Sequence, residues 1–337
     1  MNHTWRAGVT ASVGLALVLA LGGMAAQAQA PQTEPGDVPT FGVSTELVYV
    51  RFHVERKGGY VQGLTREQVR VLEDGRPQTI ALLETPSTRE RTIPPEVTLA
   101  LDVSSSVMDA GLLDESLLKE AFFAGLSEQT SVGLCAFGGE LRCLTPPTRS
   151  VDELMDGFRE AVTFSRETRH QGTRLYASAA DIFRAAPRAE KAPRAVVIFS
   201  DGLDNRGGKV QEAILAAAEA DVRVYAVKLS QAFQDTAPGL RGRGGFGAPP
   251  SRTMYDYKKW DLDRLADETR GRAYEPGHLD KKALATILRS IATEITMENV
   301  LGYAPDGPPT GRKRRVKVEL VDKSVGTIKD GERTLVR

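Results

Sequence analysis

The sequence predicts an α/β protein with a doubly wound, mostly parallel sheet, flanked by a small β-sandwich built from its N- and C-terminal segments. Apolar strands alternate with amphipathic helices over residues 94–297, which is typical of a parallel sheet covered on both faces. Alternating β patterns occupy residues 43–93 and 298–337 on either side. Neither flank has enough strands to bury a core alone, so we expect the two to pair. Two separate β appendages are the alternative.

The N-terminus is predicted to be a secretory signal peptide, residues 1–28. A positive Arg6 precedes the apolar run "GVTASVGLALVLALGGM" and the small residues "AAQAQA". The alternative is an uncleaved membrane anchor. Residues 29–42 are interpreted as a linker, and no later segment approaches the about 18–20 apolar residues that span a bilayer. We therefore expect an extracytoplasmic protein, periplasmic or secreted, without a stable membrane span after cleavage.

The N-terminal β segment begins with "LVYVRFHV", which alternates Tyr49 and Arg51 against Val50 and Phe52. This period of two predicts a strand buried on one face only. Two further β-prone runs surround Asp74-Gly75, a strong signal for a hairpin.

The central region predicts an α/β series in chain order. Strand "EVTLALDVS" is followed by an amphipathic helix over "DAGLLDESLLKEAFFAGLS", then by strands "SVGLCAF" and "LRCLT". Helices "VDELMDGFREAV" and "TRLYASAADIFRAA" precede strand "AVVIFSD", helix "KVQEAILAAAEA" and strand "VRVYAVKLS". Helix "DLDRLADETRG", strand "RAYEP" and helix "DKKALATILRSIATEITMEN" complete the series.

The two cysteines, Cys135 and Cys143, lie eight residues apart in "GLCAFGGELRC". If the intervening glycines form a hairpin loop, the cysteines face each other on paired strands. An exported protein could oxidise them to a disulfide, and two buried free thiols are the alternative.

The overall charge excludes a general attraction to nucleic acid or acidic lipid, because 44 basic residues balance 44 acidic ones. The motif "GRGGFG" fits a dinucleotide fingerprint only in letters, since two prolines follow it instead of a helix. It lies in a glycine- and arginine-rich loop, 232–252, interpreted as an insertion, with a recognition element as the alternative. The histidines show no ligand spacing, although His170 could line the rim of a site near Thr173.

Oxygen-bearing side chains follow three elements that end at one edge of the predicted sheet. Asp102, Ser104 and Ser106 follow the first strand, Thr173 begins a helix, and Asp201 ends a later apolar strand. Ligands collect at the carboxyl ends of parallel strands. Two carboxylates and three hydroxyls, without nitrogen or sulfur, suit Mg²⁺ first, with Mn²⁺ or Ca²⁺ as alternatives. Each motif alone could be a helix cap or a turn.

In type and order these motifs, "DVSSS", "GT" and "SDG", resemble the metal-ion-dependent adhesion site of von Willebrand factor A (VWFA) domains. The resemblance covers residues 94–297, and both flanks are similar to a bacterial exported VWFA-related group. It implies that the five residues hold a divalent cation. It also implies that a partner protein's Asp or Glu fills an open coordination position.

We therefore expect a metal-dependent protein-binding module for adhesion or scaffolding, and not an enzyme. One alternative is a metal-assisted hydrolase, which needs a general base or second metal that the sequence does not supply. Another is a scaffold without a metal-dependent partner.

Overall fold

Two β-sheets form the framework of the part of the chain that the structure describes. The computed structural model describes residues 47–88, 91–111, 113–185, 192–229, 253–276 and 280–337, and at 253–260 the backbone only. The predicted signal peptide, the linker 29–42 and the loop 232–252 lie outside these residues. None of the described helices is long and apolar enough to cross a membrane.

The strands of the described residues are numbered here in chain order. They are β1 (Val48–Arg56), β2 (Gly59–Tyr60), β3 (Val69–Glu73), β4 (Arg76–Glu84), β5 (Glu96–Asp102), β6 (Ser131–Phe137), β7 (Leu141–Thr148), β8 (Arg194–Ser200), β9 (Val222–Lys228), β10 (Arg272–Tyr274), β11 (Asn299–Ala304), β12 (Lys313–Leu320), β13 (Thr327–Lys329) and β14 (Glu332–Val336).

The α-helices of the same residues are numbered in the same way. They are α1 (Ser105–Met108), α2 (Glu115–Leu117), α3 (Val151–Thr168), α4 (Leu175–Ala185), α5 (Val210–Glu219), α6 (Thr253–Glu268) and α7 (Lys281–Thr296).

The six-stranded sheet runs in the order β10-β9-β8-β5-β6-β7. All neighbours are parallel except β6 and β7, which are antiparallel. Apolar side chains from β5, β8 and β9 enter two separate buried clusters, one on each face. The prediction of a doubly wound, mostly parallel sheet is therefore confirmed.

The second sheet is antiparallel and combines both flanks of the chain. Its order is β13-β1-β11-β4-β3-β12-β14, with β2 paired to β1. The N-terminal β1 and β4 enclose the C-terminal β11, and β3 pairs with β12. The expected pairing of the two flanks is confirmed, in one curled sheet whose inner face includes Phe52, Leu301 and Tyr303.

Strand β1 is buried on both faces, so the prediction of a half-buried strand is wrong. Val50 and Phe52 face the core of the curled sheet. The alternate residues Arg51 and His53 are only 3% and 2% exposed. Arg51 donates hydrogen bonds to the carbonyls of Arg194 and Asp221, which lie before and within the amino-terminal ends of β8 and β9. The polar face of β1 therefore contacts protein where the pattern suggested water.

A buried charge cluster joins the two sheets at this edge. Glu298 lies 3.0 Å from Arg223 and 3.8 Å from Arg51, and all three side chains are at most 8% exposed. Burial pushes the pKa of Glu298 up, but the charges of Arg223 and Arg51 outweigh it and hold that pKa below its ordinary value. The carboxylate is therefore ionised between two guanidinium groups.

The helix predicted over residues 109–127 is replaced by shorter pieces, so that prediction is wrong in detail. Helix α2 continues as a π-helical segment, Leu118–Phe122, and a 3-10 turn, Phe123–Gly125. Leu118 and Phe122 are fully buried in the cluster that also contains α7 residues. A Cβ added at Gly125 would lie 3.0 Å from that of Ala292, so close packing against α7 fixes where the segment ends.

The hairpin of β6 and β7 carries a disulfide between Cys135 and Cys143. The two cysteines are direct cross-strand partners in the antiparallel register. Of the two possibilities that the sequence leaves open, the structure contains the disulfide.

The buried charge cluster predicts that Glu298→Ala lowers the free energy of unfolding by about 3–5 kcal/mol, because two guanidinium groups lose their buried partner. Urea unfolding measures this loss. The gap between variant and wild type should narrow as the pH falls below 4.5, the ordinary glutamate value, because protonated Glu298 no longer stabilises the folded state.

The control is Glu332→Ala, which breaks the exposed ion pair between Arg315 and Glu332. We expect little change there, since water screens exposed pairs. Equal losses in both variants would contradict the role assigned to Glu298.

Candidate functional site

Strand β5 lies between β6 and β8, so the chain leaves it toward one side and returns on the other. This switch point brings the carboxyl ends of β5 and β8 together. The hydroxyl of Ser200, the last residue of β8, donates a 2.6 Å hydrogen bond to Oδ2 of Asp102, the last residue of β5. The tip of β6 supports the same loop, because the Phe137 carbonyl accepts the Val103 N–H at 2.9 Å.

A chain of hydrogen bonds connects four of the five predicted site residues. The backbone N–H of Ser104 donates to Asp102 Oδ1 at 2.9 Å. The Ser106 hydroxyl donates to Asp201 Oδ2 at 2.6 Å and lies 3.1 Å from the Ser104 hydroxyl. Since the Ser106 proton is given to Asp201, Ser104 donates to Ser106. The structure thus brings Asp102, Ser104, Ser106 and Asp201 into one cluster.

The two carboxylates of this cluster are strongly shielded from water. Asp102 is 0% exposed and Asp201 is 8% exposed. Burial and the neighbouring charge of Asp201 raise the pKa of Asp102 to about 7, although the Ser104 and Ser200 bonds oppose the rise. A buried pair of like charges is unfavourable unless a proton or a cation balances it.

The fifth predicted residue, Thr173, reaches the same edge of the sheet through its backbone. The Arg174 N–H donates to the Gly138 carbonyl at the tip of β6, at 2.9 Å. Thr173 is 4% exposed. Among the described residues, no hydrogen bond joins its hydroxyl to the other four site residues. The structure therefore places Thr173 at this edge without connecting its side chain to the cluster.

Two residues that the sequence analysis missed hold this arrangement together. Asn205 Oδ1 accepts the Thr173 N–H at 2.7 Å, and the Asn205 N–H donates to the Thr173 carbonyl at 3.2 Å. Asp204 Oδ2 accepts the Tyr176 N–H in the first turn of α4, at 3.0 Å. Both residues belong to the loop that begins with Asp201, so this loop fixes the start of α4.

Gly172 leaves room for this contact. Its φ of +75° is strained for other residues, and an added Cβ would lie 2.3 Å from Asn205 Oδ1. The only sequence signal for Asn205 is its place in the glycine-rich turn "SDGLDNRGG", which suggests a turn and not a long-range contact.

The donors at this site are all oxygen atoms, from two carboxylates and neighbouring hydroxyls. Hard cations such as Mg²⁺, Mn²⁺ and Ca²⁺ prefer such ligands, whereas zinc prefers nitrogen and sulfur. Within the described residues, no cluster of three or more His, Cys, Asp or Glu is arranged to hold a metal. The donor chemistry therefore fits a hard cation only if hydroxyls contribute alongside the carboxylates. His170 is exposed three residues before Thr173.

Fold and site together define a doubly wound α/β domain with an oxygen-lined site at its switch point. The family profile of the von Willebrand factor type A domain matches residues 96–267, just over half of the chain. The protein therefore belongs to the von Willebrand factor type A domain family. Domains of this family are generally protein-interaction modules, and they often bind a divalent cation.

Three solved structures illustrate the likeness in fold. BatB from Bacteroides thetaiotaomicron gives a TM-score of 0.42 at 16% identity, over 60% of this chain and 98% of its own. A von Willebrand factor type A protein from Catenulispora acidiphila gives 0.41 at 14%, over 81% and 75%. Manganese-loaded TRAP protein from Plasmodium vivax gives 0.38 at 14%, over 79% and 97%. No curated protein matches this chain.

The bridge between Asn205 and Thr173 predicts that Asn205→Ala speeds hydrogen exchange at the Thr173 amide and lowers the free energy of unfolding by about 1 kcal/mol. The variant Asn205→Asp keeps an acceptor oxygen and should retain most of the protection. Exchange mass spectrometry on peptides covering residues 170–176 measures both. Unchanged exchange in Asn205→Ala would show that the bridge does not hold this loop.

Proposed function

We propose that the protein is an exported, metal-dependent protein-binding module that captures an acidic side chain of a partner protein. The observation that supports this most is the hydrogen-bonded chain from Asp102 to Asp201, in which Ser104 and Ser106 place hydroxyls between two buried carboxylates. An unbalanced pair of buried carboxylates favours a cation beside it. Mg²⁺ is the first candidate, with Mn²⁺ or Ca²⁺ as alternatives.

Each residue has a distinct role in this proposal. Ser104, Ser106 and Thr173 supply neutral oxygens, and Asp102 and Asp201 supply negative charge. Ser200 and the Ser104 N–H orient Asp102, and the Leu203 N–H donates to Asp201 Oδ1 at 2.9 Å. A divalent cation bound there offers a partner carboxylate direct coordination in place of water.

Export is part of the proposal and depends on the predicted signal peptide, residues 1–28. The disulfide between Cys135 and Cys143 supports it, because disulfides persist in oxidising compartments outside the cytoplasm. We propose a periplasmic or secreted location, with adhesion or scaffolding as the role.

The metal-binding step predicts that Mg²⁺ or Mn²⁺ raises the melting temperature of the wild type relative to chelator. Binding to the folded state alone adds about 2.7 kcal/mol at a hundredfold excess over Kd. Asp102→Ala and Ser106→Ala should abolish the rise, because each removes an oxygen from the site. Differential scanning calorimetry measures it.

The matched control is Ser105→Ala, which removes a hydroxyl between the two site serines without touching a predicted ligand. It should keep the full rise. A wild type whose melting temperature ignores both metals would exclude the metal site.

The partner-binding step predicts that a pull-down from extracytoplasmic proteins recovers a partner in Mg²⁺ but not in chelator. Asp201→Ala should recover no such partner in either buffer, because the cation site is lost. Quantitative mass spectrometry compares the captured sets. Identical sets in every arm would exclude metal-dependent capture, whereas a partner retained in chelator would indicate a scaffold that needs no metal.

A further inference from the structure

Three basic residues lie on the two loops that the Asn205–Thr173 bridge joins. Arg174 follows Thr173, Arg206 follows Asn205, and Lys209 ends the second loop just before α5. We call Arg174, Arg206 and Lys209 the basic rim. The paired hydrogen bonds between Asn205 and Thr173 hold both loops at the edge of the sheet that carries the candidate site.

The basic rim carries positive charge that its surroundings do not balance. Arg206 and Lys209 are exposed, and among the described residues neither has a carboxylate within 4.0 Å. Arg174 lies 3.9 Å from Asp181, a half-exposed pair that contributes little in water. The nearest acid in sequence, Asp204, is buried and accepts backbone N–H groups.

Other exposed arginines at this edge of the sheet are paired, which sets the basic rim apart. Arg169 lies 2.8 Å from Asp109, and Arg142 lies 2.8 Å from Glu167.

The helices at the basic rim add to its positive potential. Helices α4 and α5 both begin there, and the amino end of a helix carries a partial positive charge. The N-cap residue of α5, Lys209, makes no side-chain capping hydrogen bond, so no acidic cap offsets that charge.

We propose that the basic rim binds additional carboxylates of the same partner, so that the module selects an acidic segment over a single Asp or Glu. This inference rests on the proposed function, which places one carboxylate at the cation. Arg206 is five residues from Asp201, at most about 17 Å along an extended chain. About five residues of an extended peptide span that distance. The preferred partner therefore presents several acidic residues within one short extended segment.

The test uses two fluorescent peptides, hexaglutamate and an alanine peptide of the same length with a single glutamate. In Mg²⁺ the wild type should bind hexaglutamate about tenfold more tightly, a gain set by the modest strength of exposed ion pairs. The variants R206E/K209E and R206Q/K209Q should lose this preference but keep the single-glutamate affinity and the Mg²⁺-induced rise in melting temperature. Fluorescence anisotropy measures binding.

The matched control, R76E/K313E, makes the same charge change at two exposed residues of the curled sheet. It should bind both peptides as the wild type does. If R206E/K209E keeps the preference for hexaglutamate, or if the control loses it equally, the basic rim is not the binding surface, while Mg²⁺-dependent capture still stands. If chelator leaves the binding of both peptides by the wild type unchanged, metal-dependent capture fails and this inference fails with it.

Discussion

The central position of β5 in the six-stranded sheet is the constraint on which the candidate site depends. The chain continues from β5 to β6 on one side and reaches β8 on the other, so the loops after β5 and β8 meet at one edge. Neighbouring strands lie about 4.8 Å apart, which lets Ser200 bond Asp102 and lets Ser106 bond Asp201 directly. If one more strand separated β5 from β8, these side chains could not touch.

The opposite edge of the same sheet does a different job. There the amino ends of β8 and β9 contact β1 of the curled sheet through Arg51, Arg223 and Glu298. Buried charges of this kind require several partners at once, so the contact tolerates little change in geometry. The site at the carboxyl ends is therefore built on strands whose other ends are held by the flanking segments of the chain.

The sequence was informative where a pattern reports its own environment, and misleading where the environment is supplied from far away. Apolar strands indicated the parallel sheet, and Asp102 and Asp201 were found because each ends such a strand. The role of Asn205 depends on a backbone group 32 residues earlier, which no local pattern shows. The polarity of Arg51 suggested water, because alternation cannot distinguish solvent from a buried partner. The helix predicted over 109–127 failed because packing against α7 decided its form.

The distribution of charge connects the candidate site with its surroundings. Asp102 and Asp201 each use one oxygen to accept a backbone N–H, so both are fixed in place by the loops that carry them. Two ionised carboxylates balance one divalent cation and leave no negative charge for Arg206 and Lys209. An occupied site would thus keep this edge of the domain positive, and long-range attraction would favour anionic partners before any direct contact forms. Selection for an acidic segment then follows from the charge count at the edge as well as from coordination at the ion.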